Sequence, residues 1–569
     1  MKILKKRINK ENTMEIAKNT NKNIMIASFI DQMGIKSDNV HKYLNPTIED
    51  LYDPFLFLDM EKAVDRIILA MEKNEKILIY GDYDADGNTA TAILMLLFRY
   101  INYENVEYLI PNRIIDGYGI SMNKIDEIKS KNINLVITVD CGIKNIKEIE
   151  ALKNLGIDVV LTDHHEQGEE IPDAFAVINP KVKKEKYPFK DLAGAGVSFK
   201  LASAILKKTK IKLDEVKFLE LMMLAAIGTI ADIMPLVDEN RAIIKLAIKK
   251  YNEYTEKKKS EITFGIKNLI DTGKKLNEQE IAFYVVPKIN ASGRMGEEIA
   301  IEYILEKDSE KEIESFNKLH ALNEKRKDIT NQQTEEIISL IENEIKKKKN
   351  KPEIIFAGKE NLHEGIIGII ASKISEKYKC PAIIYTNKSQ SDTEMVASSR
   401  CTNQDVNLYN ILDDIKDDFV AFGGHDFAAG FSFETKNEKK LKEKFEKMTI
   451  EKIEKSIKYN NTLNLKETNL NLAKEMEALR PYGNGNEEPI FLFKNLNIKQ
   501  INSYPKVTRI VFQKNEKGQR FPEEIVGISF DTKENLGVDQ GKTVNVLGNL
   551  SINSYNGFES VQIMVIKII

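Results

Sequence analysis

An apolar run passes directly into an acidic loop at residues 77–87, which read ILIYGDYDADG. The four residues Ile77–Tyr80 have the length and composition of a short buried strand. Residues 89–100, TATAILMLLFRY, follow the loop and have the character of a helix. The stretch therefore predicts a strand, a loop and a helix in that order, which is the repeating unit of an α/β fold.

The same alternation continues along the chain. Residues 106–110, 134–139 and 158–162 are further strand candidates, and helical segments such as 144–155 lie between them. Strands that alternate with helices predict a parallel, doubly wound sheet. In such sheets ligands bind beyond the carboxyl ends of the strands.

Side chains that can bind a metal ion follow three of these strands. They are Asp82, Asp84 and Asp86 after the first strand, Asp140 after the third, and Asp163, His164 and His165 after the fourth. Another carboxylate, Asp232, ends an apolar helix predicted over 218–231. One polar residue at a strand end is usually an ordinary loop residue, but three such clusters at one sheet edge predict a single site.

The density of carboxylates favours a site for divalent cations. Neighbouring carboxylates raise each other's pKa by repulsion, and a bound cation removes that cost. The pattern D-x-D-x-D-G also opens an EF-hand loop, but the twelfth position would be Ile93 instead of the bidentate glutamate. Mixed carboxylate and imidazole ligands suit Mn²⁺, and less exclusively Mg²⁺ or Zn²⁺. The set is large enough for two ions, the usual arrangement for in-line phosphoryl transfer.

The rest of the chain divides by composition. Residues 1–50 are predicted to be a small helical region, and residues 306–350 a long charged helical connector that ends in a lysine run. A second α/β unit is predicted from 351 to about 455. Five strand candidates separated by turn residues lie between 490 and 566 and predict a small β-barrel such as an OB-fold.

Length and composition exclude several classes of protein. A chain of 569 residues is too long for one core, and a net charge of −3 means that any basic surface for a polyanion must be local. The three cysteines suit neither a disulfide framework nor a zinc-thiolate site, so we expect a reducing, cytoplasmic location. No segment reaches the ~20 apolar residues of a membrane span, and no apolar signal segment follows the basic N-terminus.

The motifs resemble those of the DHH phosphoesterase superfamily. The resemblance rests on GDYDADGNTATA (81–92), TVDCGI (138–143), TDHHE (162–166) and GTIADIMPL (228–236). PNRIIDGYGIS (111–121) and PKINASGRM (287–295) are similar to the RecJ branch in particular, as is RPYGNGNEEPIF (480–491) before the barrel. HEGIIGIIASKI (363–374), ASSRCT (397–402) and FGGHDFAAGFSF (422–433) look like the DHH-associated domain. The resemblance implies a DHH catalytic domain over 51–305, a DHH-associated domain over 351–455 and an OB-fold-like nucleic-acid-binding domain over 456–569.

The resemblance also implies roles for individual residues. The catalytic metal site would comprise Asp82, Asp84, Asp86, Asp140, His164 and Asp232, with Asp140 bridging and Asp163 orienting His164. His165 would contact the scissile phosphate or support the ligands. The residues implied to border the substrate or grip its 5′ phosphate are Arg113, Asn290, Ser292, Arg294, Ser398, Arg400, Gly423, Gly424 and His425. Independently of the resemblance, arginine offers a planar fork to phosphate oxygens, and a turn at Gly423–His425 would bring backbone N–H groups close to an anion.

The implied activity is exonucleolytic hydrolysis of single-stranded DNA from 5′ to 3′, releasing 5′ mononucleotides in the presence of Mn²⁺ or Mg²⁺. Recombination and repair, including mismatch repair, are the implied settings, with a single-strand binding protein and a helicase as partners. The barrel would follow the strand with basic side chains and one or two stacking aromatics, for which the candidates are Tyr504, Phe512, Phe530, Tyr555 and Phe558. Two alternatives stay open: hydrolysis of a small substrate such as a cyclic dinucleotide, a short oligoribonucleotide or pyrophosphate, and an inert DNA-binding scaffold.

Overall fold

The computed structural model describes residues 2–257, 266–270, 275–348, 351–389, 391–402, 406–451, 456–514, 523–555 and 557–569. They form two compact units. One comprises Met1–Leu51, Pro235–Leu246 and Lys455–Ile569, and the other comprises Tyr52–Met234 and Ala247–Glu454. In the part of the chain that the structure describes, no helix is both long and apolar enough to cross a bilayer.

The N-terminal region is helical, as predicted, but it opens with a strand. Its elements are β1 (Lys2–Lys5), α1 (Lys10–Thr20), α2 (Ile24–Gln32) and α3 (Val40–Leu44). Strand β1 pairs in parallel with a strand at Ser456–Tyr459, more than 400 residues further along the chain. Ile26 and Phe29 of α2 share one hydrophobic core with Phe491 and other residues of the C-terminal barrel. The N-terminal helices therefore belong to the same compact unit as the barrel.

The predicted parallel sheet is present and has five strands. Its elements in chain order are α4 (Met60–Glu72), β2 (Ile77–Tyr80), α5 (Ala85–Tyr100), β3 (Val106–Leu109), α6 (Met122–Ser130), β4 (Leu135–Thr138), α7 (Ile146–Asn154), β5 (Asp158–Thr162) and β6 (Ala176–Ile178). The strand order is β3-β2-β4-β5-β6, and every pair is parallel. The four predicted strands are confirmed, and β6 is an additional three-residue edge strand. The carboxyl ends of β2, β4 and β5 therefore meet at one edge.

Helices complete the catalytic domain and lead away from it. They are α8 (Gly194–Thr209), α9 (Glu215–Ala231), α10 (Asp238–Lys257), α11 (Lys267–Ile270), α12 (Glu278–Glu280), α13 (Val286–Arg294), α14 (Ile299–Leu305) and α15 (Ser309–Lys348). A π-helical turn at Ile281–Val285 joins α12 to α13. Helices α8 and α9 pack on the almost entirely buried helix α5. The predicted connector is the 40-residue helix α15, and residues 349 and 350 of the lysine run lie outside the described residues.

A second, mixed sheet follows the connector. Its elements are β7 (Ile355–Gly358), α16 (Ile367–Tyr378), β8 (Ala382–Asn387), β9 (Glu394–Arg400), α17 (Leu408–Asp413), β10 (Ala421–His425), β11 (Ala428–Glu434) and α18 (Glu438–Lys447). The strand order is β10-β11-β9-β8-β7. The prediction of a turn at Gly423–His425 is wrong, because these residues pair with β11 as an edge strand and the hairpin turns at Asp426 and Phe427.

The C-terminal strands form the predicted barrel. The elements are β12 (Ser456–Tyr459), β13 (Asn461–Thr462), α19 (Leu470–Met476), β14 (Phe491–Ser503), β15 (Thr508–Lys514), β16 (Glu523–Ser529), α20 (Lys533–Leu536), β17 (Thr543–Tyr555) and β18 (Phe558–Ile568). Strand β14 pairs with both β15 and β17, which closes the five strands β14–β18 into a barrel. Phe491, Phe493 and Phe512 are fully buried in its core.

Candidate metal centre and phosphate site

The acidic loop after β2 continues into the first turn of α5. The sequence predicts a helix from Thr89, but α5 begins at Ala85 because Asp84 caps it, accepting a hydrogen bond from the Gly87 N–H at 3.0 Å. Asp86 consequently lies inside the first helical turn and is almost fully buried. Asn290 contributes from α13, where its Oδ1 accepts a hydrogen bond from Ala85 N at 3.0 Å. These bonds fix the directions in which the loop carboxylates point.

Helix α8 faces Asp86 with its N-terminus. The N–H groups of Gly194 and Ala195 donate to the two Asp86 oxygens at 2.7 and 2.9 Å. The unpaired N–H groups and the helix dipole at this end favour negative charge. A Cβ on Gly228, in α9, would lie 2.4 Å from Asp86 Oδ1, so this glycine permits the close approach of α9. Backbone groups from a distant part of the chain therefore fix the orientation of the Asp86 carboxyl group.

Asp140 follows β4 in a left-handed backbone conformation, with φ of +60°. This conformation is uncommon for a residue other than glycine and is frequently found at functional sites. It places Asp140 Oδ1 3.1 Å from His164 Nε2. A Cβ on Gly194 would lie 2.4 Å from the same oxygen, so the start of α8 also closes over Asp140.

The Asp-His-His segment after β5 is anchored by Asp163. Its Oδ1 accepts from the backbone N–H of His164 and His165, and its Oδ2 accepts from Ile143 N at 2.9 Å. The ring contacted by Asp163 is that of His165, with Nδ1 at 2.8 Å from Oδ1. Asp163 therefore contacts His164 through the backbone N–H, whereas the His164 ring faces Asp86, Asp140 and Asp232. That Asp163 orients His164 stays a prediction. Tyr118 Oη lies 2.9 Å from His165 Nδ1 and adds a second contact to that ring.

Three overlapping groups of three side chains could each hold a metal ion. They are Asp82, Asp84 and Asp140; Asp86, His164 and Asp232; and Asp140, His164 and His165, and within each group one ligand atom per residue lies within 4.8 Å of the others. The first two groups together contain all six predicted ligands. Buried oxygens of Asp82 and Asp140, both Oδ1, have no hydrogen-bond partner. Buried acceptors without a partner are costly unless a cation satisfies them. The residues therefore fit divalent metal ions. The two groups that share no residue match the two ions expected from the sequence.

The protonation states depend strongly on burial. Desolvation, together with repulsion from neighbouring carboxylates, raises the pKa values of Asp82, Asp86 and Asp140 well above the usual value for aspartate. The same causes raise the pKa of Asp232 to about 7. Burial lowers the pKa of His164 to about 3, so its imidazole is neutral at pH 7, as metal ligation requires. Burial also lowers the pKa of His165, but the hydrogen bond to Asp163 and the negative charges of Asp163, Asp232 and Asp82 together outweigh it, so that the net shift is upward.

These shifts predict how metal affects stability at different pH. In the metal-free protein, a carboxyl group whose pKa is raised by folding stabilises the fold fully only below about pH 4, the pKa of that group in the unfolded chain. This stabilisation is lost as the pH rises through the pKa in the folded protein, which is about 7 for Asp232. We therefore expect Mn²⁺ to raise the unfolding temperature more at about pH 8 than at about pH 5.5. At pH 8 and a hundredfold excess of free Mn²⁺ over Kd, the stabilisation is equivalent to about 2.7 kcal/mol. Thermal unfolding in EDTA and in MnCl₂ at both pH values measures this. Asp232→Asn should shrink the difference, and equal Mn²⁺ effects at both pH values would contradict the assignment.

A group of arginines adjoins the metal centre. Arg113 stacks over the Tyr83 ring, 5.1 Å from its centroid, within the acidic loop. Arg294, at the end of α13, donates to Gly365 O in the second α/β domain at 3.2 Å. Arg400 Nη1 donates to Ser398 Oγ at 3.1 Å. Among the described residues none of the three arginines forms an ion pair, which leaves their charge available to an anion.

The first turn of α16 lies against the same group. A Cβ on Gly368 would lie 3.0 Å from both Arg400 Nη2 and Ser398 Oγ. Helix α16 has 12 residues, and its N-terminus favours a bound anion. The structure therefore brings a loop that bears Arg113 and the end of α13 that bears Arg294 together with Ser398, Arg400 and a helix N-terminus of the second domain.

The remaining predicted substrate residues occupy different positions. His425 and Gly423 are exposed on edge strand β10. His425 lies in the same cross-strand row as Arg400, and Gly423 in the same row as Ser398, but β10 is two strands away from β9, a distance of about 10 Å. Gly424, between them, pairs with Ala429. Ser292 is buried, and its hydroxyl donates to Glu297 O and accepts from Ala300 N. Asn290 holds the acidic loop, as described above. Substrate contact by these residues stays a prediction.

Several residues of the site could not be singled out from the sequence. Gly194 and Ala195 bind Asp86 through backbone N–H groups, which any residue type possesses. Gly228 lies inside the GTIADIMPL motif, yet its importance appears only when α9 is placed against Asp86. The closely spaced small residues at 193–196, AGAG, are the one sequence signal that could have identified the close approach of α8.

Fold and site together define a metal-dependent phosphoesterase of the DHH class. Family models match in three places: the DHH family N-terminal domain at residues 76–227, the DHHA1 domain at 327–451 and the RecJ OB domain at 459–567. The single-stranded-DNA-specific exonuclease RecJ of Bacillus subtilis is 30% identical over 556 residues, covering 95% of this chain and 67% of that protein. The chain belongs to the RecJ family.

Solved structures agree with this assignment. The crystal structure of RecJ with Mn²⁺ from Thermus thermophilus covers 100% of this chain and 79% of its own, with a TM-score of 0.80 at 24% identity, and shows the same fold. A crystal structure titled exonuclease RecJ bound to manganese covers 68% of this chain and 94% of its own, with a TM-score of 0.56 at 29% identity.

Proposed function

We propose that this protein is a metal-dependent exonuclease that hydrolyses single-stranded DNA from the 5′ end and releases 5′ mononucleotides. One observation carries the proposal: a carboxylate and imidazole cluster that fits two cations lies beside an arginine group that has no acidic partner among the described residues. A phosphodiester with a second phosphate nearby is the substrate that uses both. Membership of the RecJ family supports it.

The proposal assigns a role to each group of residues. Asp82, Asp84, Asp86, Asp140, His164 and Asp232 hold the cations. Two divalent cations, Mn²⁺ or Mg²⁺, would supply an activated water there and would neutralise charge on the leaving oxygen. His165, whose ring is held by Asp163, and Arg294 donate hydrogen bonds to the scissile phosphate. Arg113, Ser398, Arg400 and the N-terminus of α16 hold the terminal 5′ phosphate, which sets the polarity of cleavage.

The barrel is proposed to bind the strand without reading its sequence. Of the predicted stacking residues, Phe512 is fully buried in the core, and the side chain of Tyr555 lies outside the described residues. Tyr504, Phe530 and Phe558 are 55%, 74% and 82% exposed, so their rings are accessible to a ligand. Exposed aromatic rings on an OB-type barrel suit stacking on bases, which tolerates any sequence.

The substrate class is tested by comparing three molecules in Mn²⁺. They are a single-stranded 30-mer, the same 30-mer in a blunt duplex, and a dinucleotide. We expect the single strand alone to be degraded at a high rate, with 5′ mononucleotides as the first products. Rapid turnover of the dinucleotide without attack on the 30-mer would instead favour the small-substrate alternative.

Arg400 provides a separate test of the phosphate site. Arg400→Gln should remove the preference for a 5′-phosphorylated strand over a 5′-hydroxyl strand, at a cost of about tenfold in kcat/KM on the phosphorylated strand, because one charge-assisted hydrogen bond is lost. Initial rates on the two strands measure this preference. Lys379→Gln, a surface substitution in the same domain, serves as the control. Retention of the full preference by Arg400→Gln would show that the phosphate is bound elsewhere.

The biological setting is proposed from the substrate. An exonuclease of this specificity would act after another enzyme, such as a helicase, has exposed single-stranded DNA. Recombination, mismatch repair and other excision pathways produce such a substrate. A single-strand binding protein would share the same substrate. The proposed location is the cytoplasm.

A further inference from the structure

Two further cations extend the arginine group along the helices of the second domain. Burial lowers the pKa of Arg294 to about 9, and repulsion from neighbouring arginines contributes; these neighbours are Arg113, Arg400 and Arg326. Arg326 lies on α15. Burial and the proximity of Arg326 lower the pKa of Lys373, on α16. The charges therefore form a continuous series from Arg294 through Arg326 to Lys373.

No acidic side chain forms an ion pair with this series among the described residues, although Glu324 lies close enough to Arg326, and Asp84 to Arg294, to oppose the lowering of the arginine pKa. Neither Arg326 nor Lys373 is ion-paired there, and the same holds for the arginines already discussed. Other cations on the same two helices are paired, since Lys327 contacts Glu324 and Lys377 contacts Glu342. Partly buried cations that repel each other destabilise the protein unless an anion joins them. An anionic ligand would therefore stabilise these cations.

Neutral side chains hold the two cations in place. Arg326 Nη2 donates to Oδ1 of the buried Asn323 at 2.9 Å, one helical turn earlier. Arg326 Nε is buried and has no hydrogen-bond partner. Lys373 Nζ donates to Asn331 Oδ1 at 2.7 Å, which joins α16 to α15. Amides orient the cations but leave their charge intact, and the unused Nε–H remains a donor for an oxyanion.

We propose that Arg326 and Lys373 form a second phosphate subsite, which binds a phosphate group of the substrate other than the one held by Arg113, Ser398 and Arg400. The inference rests on the proposed function and deepens it. The phosphate has two possible sources: an internucleotide linkage of the strand, or the outer phosphates of a 5′-triphosphate end. Asn323 acts as a positioning residue for Arg326.

Binding of 3′-fluorescein dT₁₂ to the full-length protein in EDTA, measured by anisotropy over a range of KCl concentrations, tests the subsite. Arg326→Gln and Lys373→Gln should each weaken binding about tenfold. Each should also lower the slope of log affinity against log salt by about 0.7, the value for one lost phosphate contact on a single strand. Lys325→Gln, which removes one exposed charge from the adjacent position of α15, should leave the slope unchanged.

Strands with a 5′-hydroxyl, a 5′-monophosphate and a 5′-triphosphate separate the two sources. An equal loss on all three identifies an internucleotide phosphate, and a loss confined to the triphosphate identifies the outer phosphates. The inference is overturned if Arg326→Gln and Lys373→Gln, with unchanged unfolding temperatures, bind all three strands as Lys325→Gln does. If the wild-type protein itself neither binds nor degrades single strands, the proposed function fails instead.

Discussion

Asp140→Ala is expected to abolish Mn²⁺-dependent cleavage of single-stranded DNA, with a loss of about a thousandfold or more in kcat. Asp140 is the carboxylate nearest to His164 Nε2, at 3.1 Å, and its buried Oδ1 has no hydrogen-bond partner within the described protein. Removal of this side chain takes a ligand from the group that contains Asp82 and Asp84, and it leaves His164 Nε2 without its nearest carboxylate. Single-turnover cleavage of a labelled strand measures the loss.

The matched control for Asp140 is Asp126→Ala, an exposed aspartate on α6 of the same domain. It should retain wild-type activity and the full Mn²⁺-induced rise in unfolding temperature, whereas Asp140→Ala should lose most of that rise. Asp140→Ala should still bind a single strand, because the arginines are untouched. Wild-type cleavage by a purified Asp140→Ala protein would show that the metal centre is not the active site.

Gly194→Ala is expected to have the second-largest effect, although it adds only a methyl group. A Cβ at position 194 would lie 2.4 Å from Asp140 Oδ1, and real Cβ atoms do not approach so closely. Either Asp140 or the start of α8 has to move, and α8 carries the N–H groups that hold Asp86. We expect a loss of about 10- to 100-fold in Mn²⁺ affinity, the range found when ligand orientation is disturbed. Calorimetric titration with Mn²⁺ measures it.

Gly196→Ala is the control for this substitution. It lies in the same helix two residues later, and its nearest contact would be a flexible Leu192 side-chain carbon at 3.3 Å. Both substitutions gain the better helix propensity of alanine, worth about 1 kcal/mol. Only Gly194→Ala should lose metal affinity and activity. Equal metal affinity and activity of the two variants would show that the close approach of α8 to Asp140 does not matter for metal binding.

Local sequence patterns predicted the parts of the fold that depend on near neighbours. The strand at Ile77–Tyr80 and the strand at Asp158–Thr162 have the bounds expected from their apolar runs. Because carboxyl ends of parallel strands meet at one edge, the gathering of Asp82, Asp140 and His164 could be foreseen. The closure of the C-terminal strands into a barrel also followed from short, evenly spaced strands.

Features that depend on distant residues could not be predicted in this way. The bonds from Gly194 and Ala195 to Asp86 join positions more than 100 residues apart through backbone atoms, which carry no sequence signal. Packing of the N-terminal helices on the barrel joins the two ends of the chain. Strand β10 was missed because glycines have low strand propensity, and its pairing with β11 outweighs that preference.

The cationic residues likewise include some that the sequence predicted and one that it did not. Arg113, Arg294 and Arg400 were predicted from motifs, but Arg326 was not, because an arginine in a long charged helix is usually exposed to solvent. Its significance depends on the absence of an ion pair among the described residues, on the buried Nε and on the contact with Asn323, all of which can be seen only in the three-dimensional arrangement.

The polarity of cleavage tests the central claim most directly. A single-stranded 30-mer with different fluorophores near its two ends, prepared with and without a 5′ phosphate, is incubated with the protein and Mn²⁺ beside Asp140→Ala. We expect the 5′ label to be released first as a mononucleotide, faster from the phosphorylated strand, with no release by Asp140→Ala. Exclusive loss of the 3′ label, or equal release by Asp140→Ala, would contradict the account.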